Sequence, residues 1–88
     1  MRSLKINKFN RKGKRVGYWE DYYSNGKLYE KGSYKNGIRD GEWKSYYPKG
    51  ELYSKGSYKN GKKEGYWEYY ESNGLMFFKE LYMNGKLQ

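Results

Sequence analysis

The 88-residue chain has no cysteine and no histidine. Disulfides and thiol chemistry are closed to it, and the redox compartment leaves no mark. Zinc sites, histidine general bases and histidine-containing triads are excluded as well. Alanine is absent, valine occurs once and isoleucine twice, so a thick aliphatic core is out of reach. No apolar run approaches the ~20 residues of a membrane-spanning helix. The opening Met1–Asn7 stretch is basic but has no apolar segment behind it, which is not a secretory signal. These absences lead to the expectation of a soluble, cytoplasmic, non-enzymatic protein that calls for no cofactor and no metal.

Aromatic residues take the place of aliphatic ones. They make up 22% of the chain, and 13 of them are tyrosine. Few aliphatics with 33% charged residues would suit a disordered chain, but disordered chains are poor in aromatics. Tyrosine and tryptophan carry a large apolar ring and a polar handle, which fits half-exposed positions. A thin, solvent-washed β structure follows.

One phrase organises the chain. Gly17-Tyr-Trp19-Glu-Asp-Tyr22-Tyr23 returns as Gly41-Glu-Trp43-Lys-Ser-Tyr46-Tyr47 and as Gly65-Tyr-Trp67-Glu-Tyr-Tyr70, each 24 residues after the last. The 88 residues therefore read as a single repeat domain. Residues 1–16 form an N-terminal half-repeat cap, and three repeats follow at 17–40, 41–64 and 65–88. Within a repeat, an aromatic strand leads to a turn at Asn25-Gly26 or Lys49-Gly50. A return strand such as Leu28–Tyr34 then leads to a second turn at Asn36-Gly37 or Asn60-Gly61. Pro48 sits just before a turn, where its missing N–H does least harm. The third repeat drifts after Tyr70, and Met76–Met83 is the most apolar stretch of the protein. Glycine recurs too often for helices.

A two-residue turn at Asn25-Gly26 predicts a register. Tyr23 would face Leu28, Glu20 would face Lys31, and Trp19 would face Gly32; Trp43 would likewise face Gly56, and Trp67 would face Glu80. Trp19 and Trp43 would then each cover the glycine opposite, and the pattern would end at Trp67. Strand alternation puts Trp19, Tyr23, Leu28 and Tyr34 on one face and Tyr18, Tyr22, Tyr29, Lys31 and Lys35 on the other. The first face is the better candidate for the core.

The pattern Gly-x-Trp-x-x-Tyr-x-x-x-Gly-x-Leu, followed by Gly-x-Tyr-x-Asn-Gly, closely resembles the bacterial variant of the MORN repeat, the YwqK-type family often labelled as toxin–antitoxin antitoxins. The matching residues are Gly17, Trp19, Tyr22, Gly26, Leu28, Gly32, Tyr34, Asn36 and Gly37, then Gly41, Trp43, Tyr46, Gly50, Leu52, Gly56, Tyr58, Asn60 and Gly61. The resemblance spans roughly residues 13–87. It implies an all-β fold in which tandem antiparallel hairpins make an elongated, curved, largely single-layer meander of about seven strands. It also implies a bacterial scaffolding or membrane-proximal interaction role, with an antitoxin-like occlusion of a cognate toxin as one concrete form.

Four groups of residues are candidates for function. Trp19, Trp43 and Trp67, with Gly32 and Gly56, recur in register and read as structural packing rather than a binding strip. Tyr18, Tyr22, Tyr29, Tyr46, Tyr53, Tyr66 and Tyr70 offer contact area at little entropic cost, which suits protein recognition; the alternative is that a single-layer sheet simply wets this side with tyrosine. The net charge of +9 is concentrated at one end, where Arg2, Lys5, Lys8, Arg11, Lys12, Lys14 and Arg15 have no acid among them. That segment is the alternative site, for nucleic acid or anionic membrane, set against simple protection of an edge strand. Lys31, Lys55 and Lys79 form a column beside the tyrosines, with Glu20 and Glu68 placed to neutralise it. The leading expectation is a non-catalytic protein-binding module, with self-association through the C-terminal strand as a further partner.

Overall fold

Glycine-closed turns and the aromatic strands between them produce one continuous meander. The computed structural model describes residues 6–88, and its strands are β1 (Lys8–Phe9), β2 (Arg15–Tyr22), β3 (Leu28–Lys35), β4 (Ile38–Tyr46), β5 (Leu52–Lys59), β6 (Lys62–Tyr70), β7 (Met76–Met83) and β8 (Lys86–Leu87). Their order in the sheet is their order in the chain, and every neighbouring pair is antiparallel. The expected all-β meander is present. It has eight strands rather than about seven, because a two-residue strand closes each end. Within the N-terminal half-repeat cap, Lys8–Phe9 is the strand ahead of β2 among the described residues; residues 1–5 lie outside them. The extents are 39 × 33 × 24 Å, and the smallest exceeds the ~10 Å of a flat layer. Twist and repeated bulges curve the sheet.

The turns are of two kinds. Asn36-Gly37, Asn60-Gly61 and Asn84-Gly85 have both residues at positive φ, 51° and 81° in the first case. They are two-residue type I′ turns, and asparagine tolerates that conformation better than most residues. The turns at the other end of the hairpins differ. The Tyr23 N–H donates to Lys27 O (2.8 Å) and the Gly26 N–H to Tyr23 O (2.9 Å), closing a three-residue loop. The same pattern closes Tyr47 to Glu51 and Glu71 to Leu75. Asn25 stays out of the left-handed region, and its side chain accepts the Lys27 N–H instead.

This loop corrects the expected register near the turn. Trp19 faces Gly32, Glu20 faces Lys31, Trp43 faces Gly56 and Trp67 faces Glu80, as the sequence implies. Leu28, however, faces Tyr22 and not Tyr23, so Tyr29 is an extra residue opposite Asp21. Leu52 and Met76 face Tyr46 and Tyr70 in the same way. A bulge turns its two residues to one side, which moves Tyr29 and Tyr53 to the tryptophan face. Ring contacts agree: Tyr29 meets Tyr23 at 5.1 Å, and Tyr53 meets Tyr69 at 5.9 Å. Leu28, placed by alternation beside Trp19, belongs to the opposite face with Tyr22.

A second bulge sets the tryptophans. Gly41, Glu42 and Trp43 together stand opposite the single residue Gly32. Gly41 takes φ +80°, a conformation that L side chains rarely adopt. The indole of Trp43 then lies over Gly32, so closely that a Cβ there would overlap the ring. Trp67 lies over Gly56 in the same way. Trp43 and Trp67 thus cover a glycine of the preceding hairpin, and Trp43 does so rather than cover Gly56, the glycine paired with it. The indole N–H groups of Trp43 and Trp67 donate to Ser33 O and Ser57 O, both at 3.1 Å. The tryptophans tie one repeat to the next.

The core is this column. Trp19, Trp43 and Trp67 are buried. Phe9, Trp19, Tyr34, Trp43, Tyr58 and Trp67 make a continuous edge-to-face ladder with centroid spacings from 5.0 to 6.2 Å. Edge-to-face contact sets positive ring edges against negative faces, adding to the burial term. Arg15, Arg39 and Lys63 cap the indoles at 4.3, 4.2 and 4.8 Å. These cation–π contacts complete a thin core without a second layer.

Candidate functional site

The face opposite the tryptophans has no such ladder. It presents Tyr18, Glu20 and Tyr22 from β2, Lys31 from β3, Glu42, Lys44 and Tyr46 from β4, Lys55 from β5, Tyr66, Glu68 and Tyr70 from β6, and Lys79 from β7. Tyr18, Tyr22 and Tyr66 are exposed, at 38%, 53% and 57%. Tyr46 and Tyr70 are half-buried. Five of the seven candidate tyrosines therefore share one surface. Tyr29 and Tyr53 are exposed too, but on the tryptophan side.

Hydroxyl groups on this surface are organised around carboxylates. Tyr18 donates to Glu20 Oε2 at 2.9 Å, and Tyr22 donates to Glu20 Oε1. Tyr70 donates to Glu68 Oε1 at 2.8 Å, and Lys55 Nζ stands 3.6 Å from the same carboxylate. These bonds hold both glutamates below the ordinary 4.5, with the Tyr22 and Tyr70 hydroxyls as the largest causes. Burial, and then the bond to Glu20, pushes Tyr18 up to about 12. Lys31 and Lys79 lie over the rings of Tyr46 and Tyr66 at 5.9 and 4.7 Å.

One row crosses the whole surface. Glu20 faces Lys31, Lys31 faces Lys44, Lys44 faces Lys55, Lys55 faces Glu68, and Glu68 faces Lys79. Glu20 and Glu68 face Lys31 and Lys79, as expected, but the ion pair that forms is that of Glu68 with Lys55, while Lys31 and Lys79 lie over tyrosine rings. Lys44 is the residue that the sequence reading missed. Aligning the repeats reveals it, because Lys44 stands where Glu20 and Glu68 stand. The inversion leaves three lysines directly side by side in the middle of the sheet.

The N-terminal basic group is divided. Arg11, Lys12 and Lys14 are exposed at the Arg11–Gly13 turn, beside a groove of about 380 Å³ shared with Asn10 and Asn36. Lys8 is exposed on β1. Arg15 belongs elsewhere: it stacks on Trp19, donates to Tyr34 Oη at 3.2 Å and lies 3.7 Å from Asp21. Its role is in the core column. Arg2 and Lys5 lie outside the described residues. The tryptophan face carries shallow depressions, one of about 210 Å³ near Arg39 and Lys63 and one of about 320 Å³ among Tyr23, Tyr29, Tyr47 and Tyr53.

The profile of the MORN repeat variant family matches residues 15–36 and 39–60. Each match runs from the strand carrying a tryptophan to the Asn-Gly turn that follows. No curated protein and no solved structure matches the chain. No helix in the described residues is long and apolar enough to cross a membrane.

Proposed function

The chain belongs to the MORN repeat variant family, and on that premise we propose that it is a non-catalytic module that binds another protein through the face opposite its tryptophans. Repeats of this family are generally non-catalytic and take part in protein or membrane binding. One observation carries the reading: Tyr18, Tyr22 and Tyr66 are exposed on a face whose rings play no part in the tryptophan ladder. Tyrosine offers a rigid apolar ring with a hydroxyl at its tip, and so gives contact area with few rotamers to freeze. Occlusion of a toxin surface is one form such binding would take, and a cytoplasmic setting suits it.

The exposed cations Arg11, Lys12 and Lys14 support a second reading, contact with nucleic acid or an anionic membrane at the N-terminal end. Photo-crosslinking in the cells that make the protein separates the two. A crosslinking residue at Tyr46 is expected to trap a partner protein, and one at Tyr58 on the tryptophan side is expected to trap none. Trapping at Tyr58 alone, or from Lys12 alone, would reject the face assigned here.

A further inference from the structure

We propose that the centre of the tyrosine face receives an acidic side chain of the partner protein, at the row formed by Lys31, Lys44 and Lys55. The inference rests on the protein-binding reading above and names the chemistry of the partner. Like charges directly opposite one another in a sheet are unfavourable, and this row holds three on adjacent strands. All three residues are half-buried, and the Lys44 and Lys55 side chains reach solvent. Their ammonium groups diverge. Lys44 leans towards Glu42 at 3.9 Å, Lys55 towards Glu68 at 3.6 Å, and Lys31 towards the ring of Tyr46 at 5.9 Å. Like-charge pairs occur singly elsewhere, at Asp21–Glu30 and Lys59–Lys62, whereas here three like charges adjoin on successive strands.

The protein supplies its own template for the ligand. In the last repeat, Glu68 takes a hydrogen bond from Tyr70 and the charge of Lys55. One repeat earlier, Tyr46 and Lys31 occupy the positions of Tyr70 and Lys55, but Lys44 stands where the glutamate would be. A carboxylate arriving from the partner would meet the same pair of groups, with Lys44 and Lys55 as additional cations. The row is also bounded. Glu20 and Glu68 close its two ends, and Glu42 lies beside it. The three lysine-bearing strands span only ~10 Å, and the two glutamates stand ~19 Å apart. Such a patch suits one or two carboxylates, whereas an extended polyphosphate or a charged lipid surface would run onto the glutamates.

The test uses the full chain and a fluorescently labelled oligoglutamate peptide, with a labelled single-stranded oligonucleotide and phosphatidylserine-containing vesicles alongside. Salt-sensitive binding of the peptide is expected. Lys44→Glu should weaken it about tenfold or more, and Lys44→Arg should retain it. Because Lys44→Glu restores the alternation of charge along the row, it should also raise Tm, by about 4 °C. Charge reversal at Arg11, Lys12 and Lys14 should leave peptide binding unchanged. The inference is overturned if no peptide binds, if Lys44→Glu binds as well as the parent, or if only the oligonucleotide or the vesicles bind. Those results would leave partner trapping at Tyr46 untouched; loss of that trapping would count against the broader reading instead.

Discussion

The two faces of this sheet carry the same kind of residue and use it differently. On one face, rings pack edge to face, the indoles of Trp43 and Trp67 lie on glycine, and their N–H groups find a carbonyl of the preceding hairpin. On the other, rings stand apart and their hydroxyls serve glutamates. The first arrangement recurs with little change in every repeat, because a repeat gains its stability from its neighbours. The second recurs in the first and last repeats only, since the middle repeat exchanges glutamate for Lys44. Regularity thus marks what the fold requires, and departure from it marks what the fold leaves free.

The sharpest way to break this contrast is to remove a central ring from each face. Trp43→Ala should cost about 3–5 kcal/mol, because the indole is buried and joins two hairpins. Tyr46→Ala should cost much less. Urea unfolding of the two variants measures the difference, and equal costs would dissolve the distinction.

A smaller effect tests how the tryptophans are used. Gly32→Ala should destabilise the protein by about 1–3 kcal/mol, since the new methyl meets the Trp43 ring. Glu80→Ala, at the equivalent place in the last repeat, should be nearly neutral. No later tryptophan lies over that position, which is why a glutamate fits where Gly32 and Gly56 stand. A large loss at Glu80 would contradict the assignment of each tryptophan to the preceding hairpin.

The smallest effect concerns pH and belongs to the tyrosine face. Glu20 and Glu68 are held below 4.5, so their contribution is complete above that pH and fades as the pH falls through their lowered values. Tyr18 is raised from 10.0 to about 12, so its contribution is complete below pH 10 and fades as the pH climbs towards 12. Thermal melts across pH should show a shallower acid loss in Glu20→Gln than in the parent. An unchanged acid limb would remove Glu20 from the account.

Much of this was legible in the sequence. The 24-residue period, the aromatic strands and the Trp19–Gly32 and Trp43–Gly56 registers follow from composition and spacing. Alternation failed where the chain adds a residue. Tyr29 and Tyr53 change face because each sits in a bulge beside a three-residue turn. A signal for that turn was present: Lys49 replaces Asn25, whereas the true type I′ turns keep asparagine at 36, 60 and 84. Lysine disfavours positive φ, so the substitution argues against a type I′ turn there. The N-terminal half-repeat also slips by one residue, so that Phe9 meets Trp19 where Tyr34 meets Trp43. Charge counted by segment hid two further facts: Arg15 belongs to the core column, and Lys44 completes a row that only cross-strand register assembles.

The division between the faces can be tested in one unfolding experiment on the triple variant Tyr22→Ser, Tyr46→Ser and Tyr70→Ser. The account predicts a cooperative transition with a smaller loss of stability than Trp43→Ala alone produces. A loss equal to or greater than that of Trp43→Ala would show that the tyrosine face holds the sheet together and is not free for recognition.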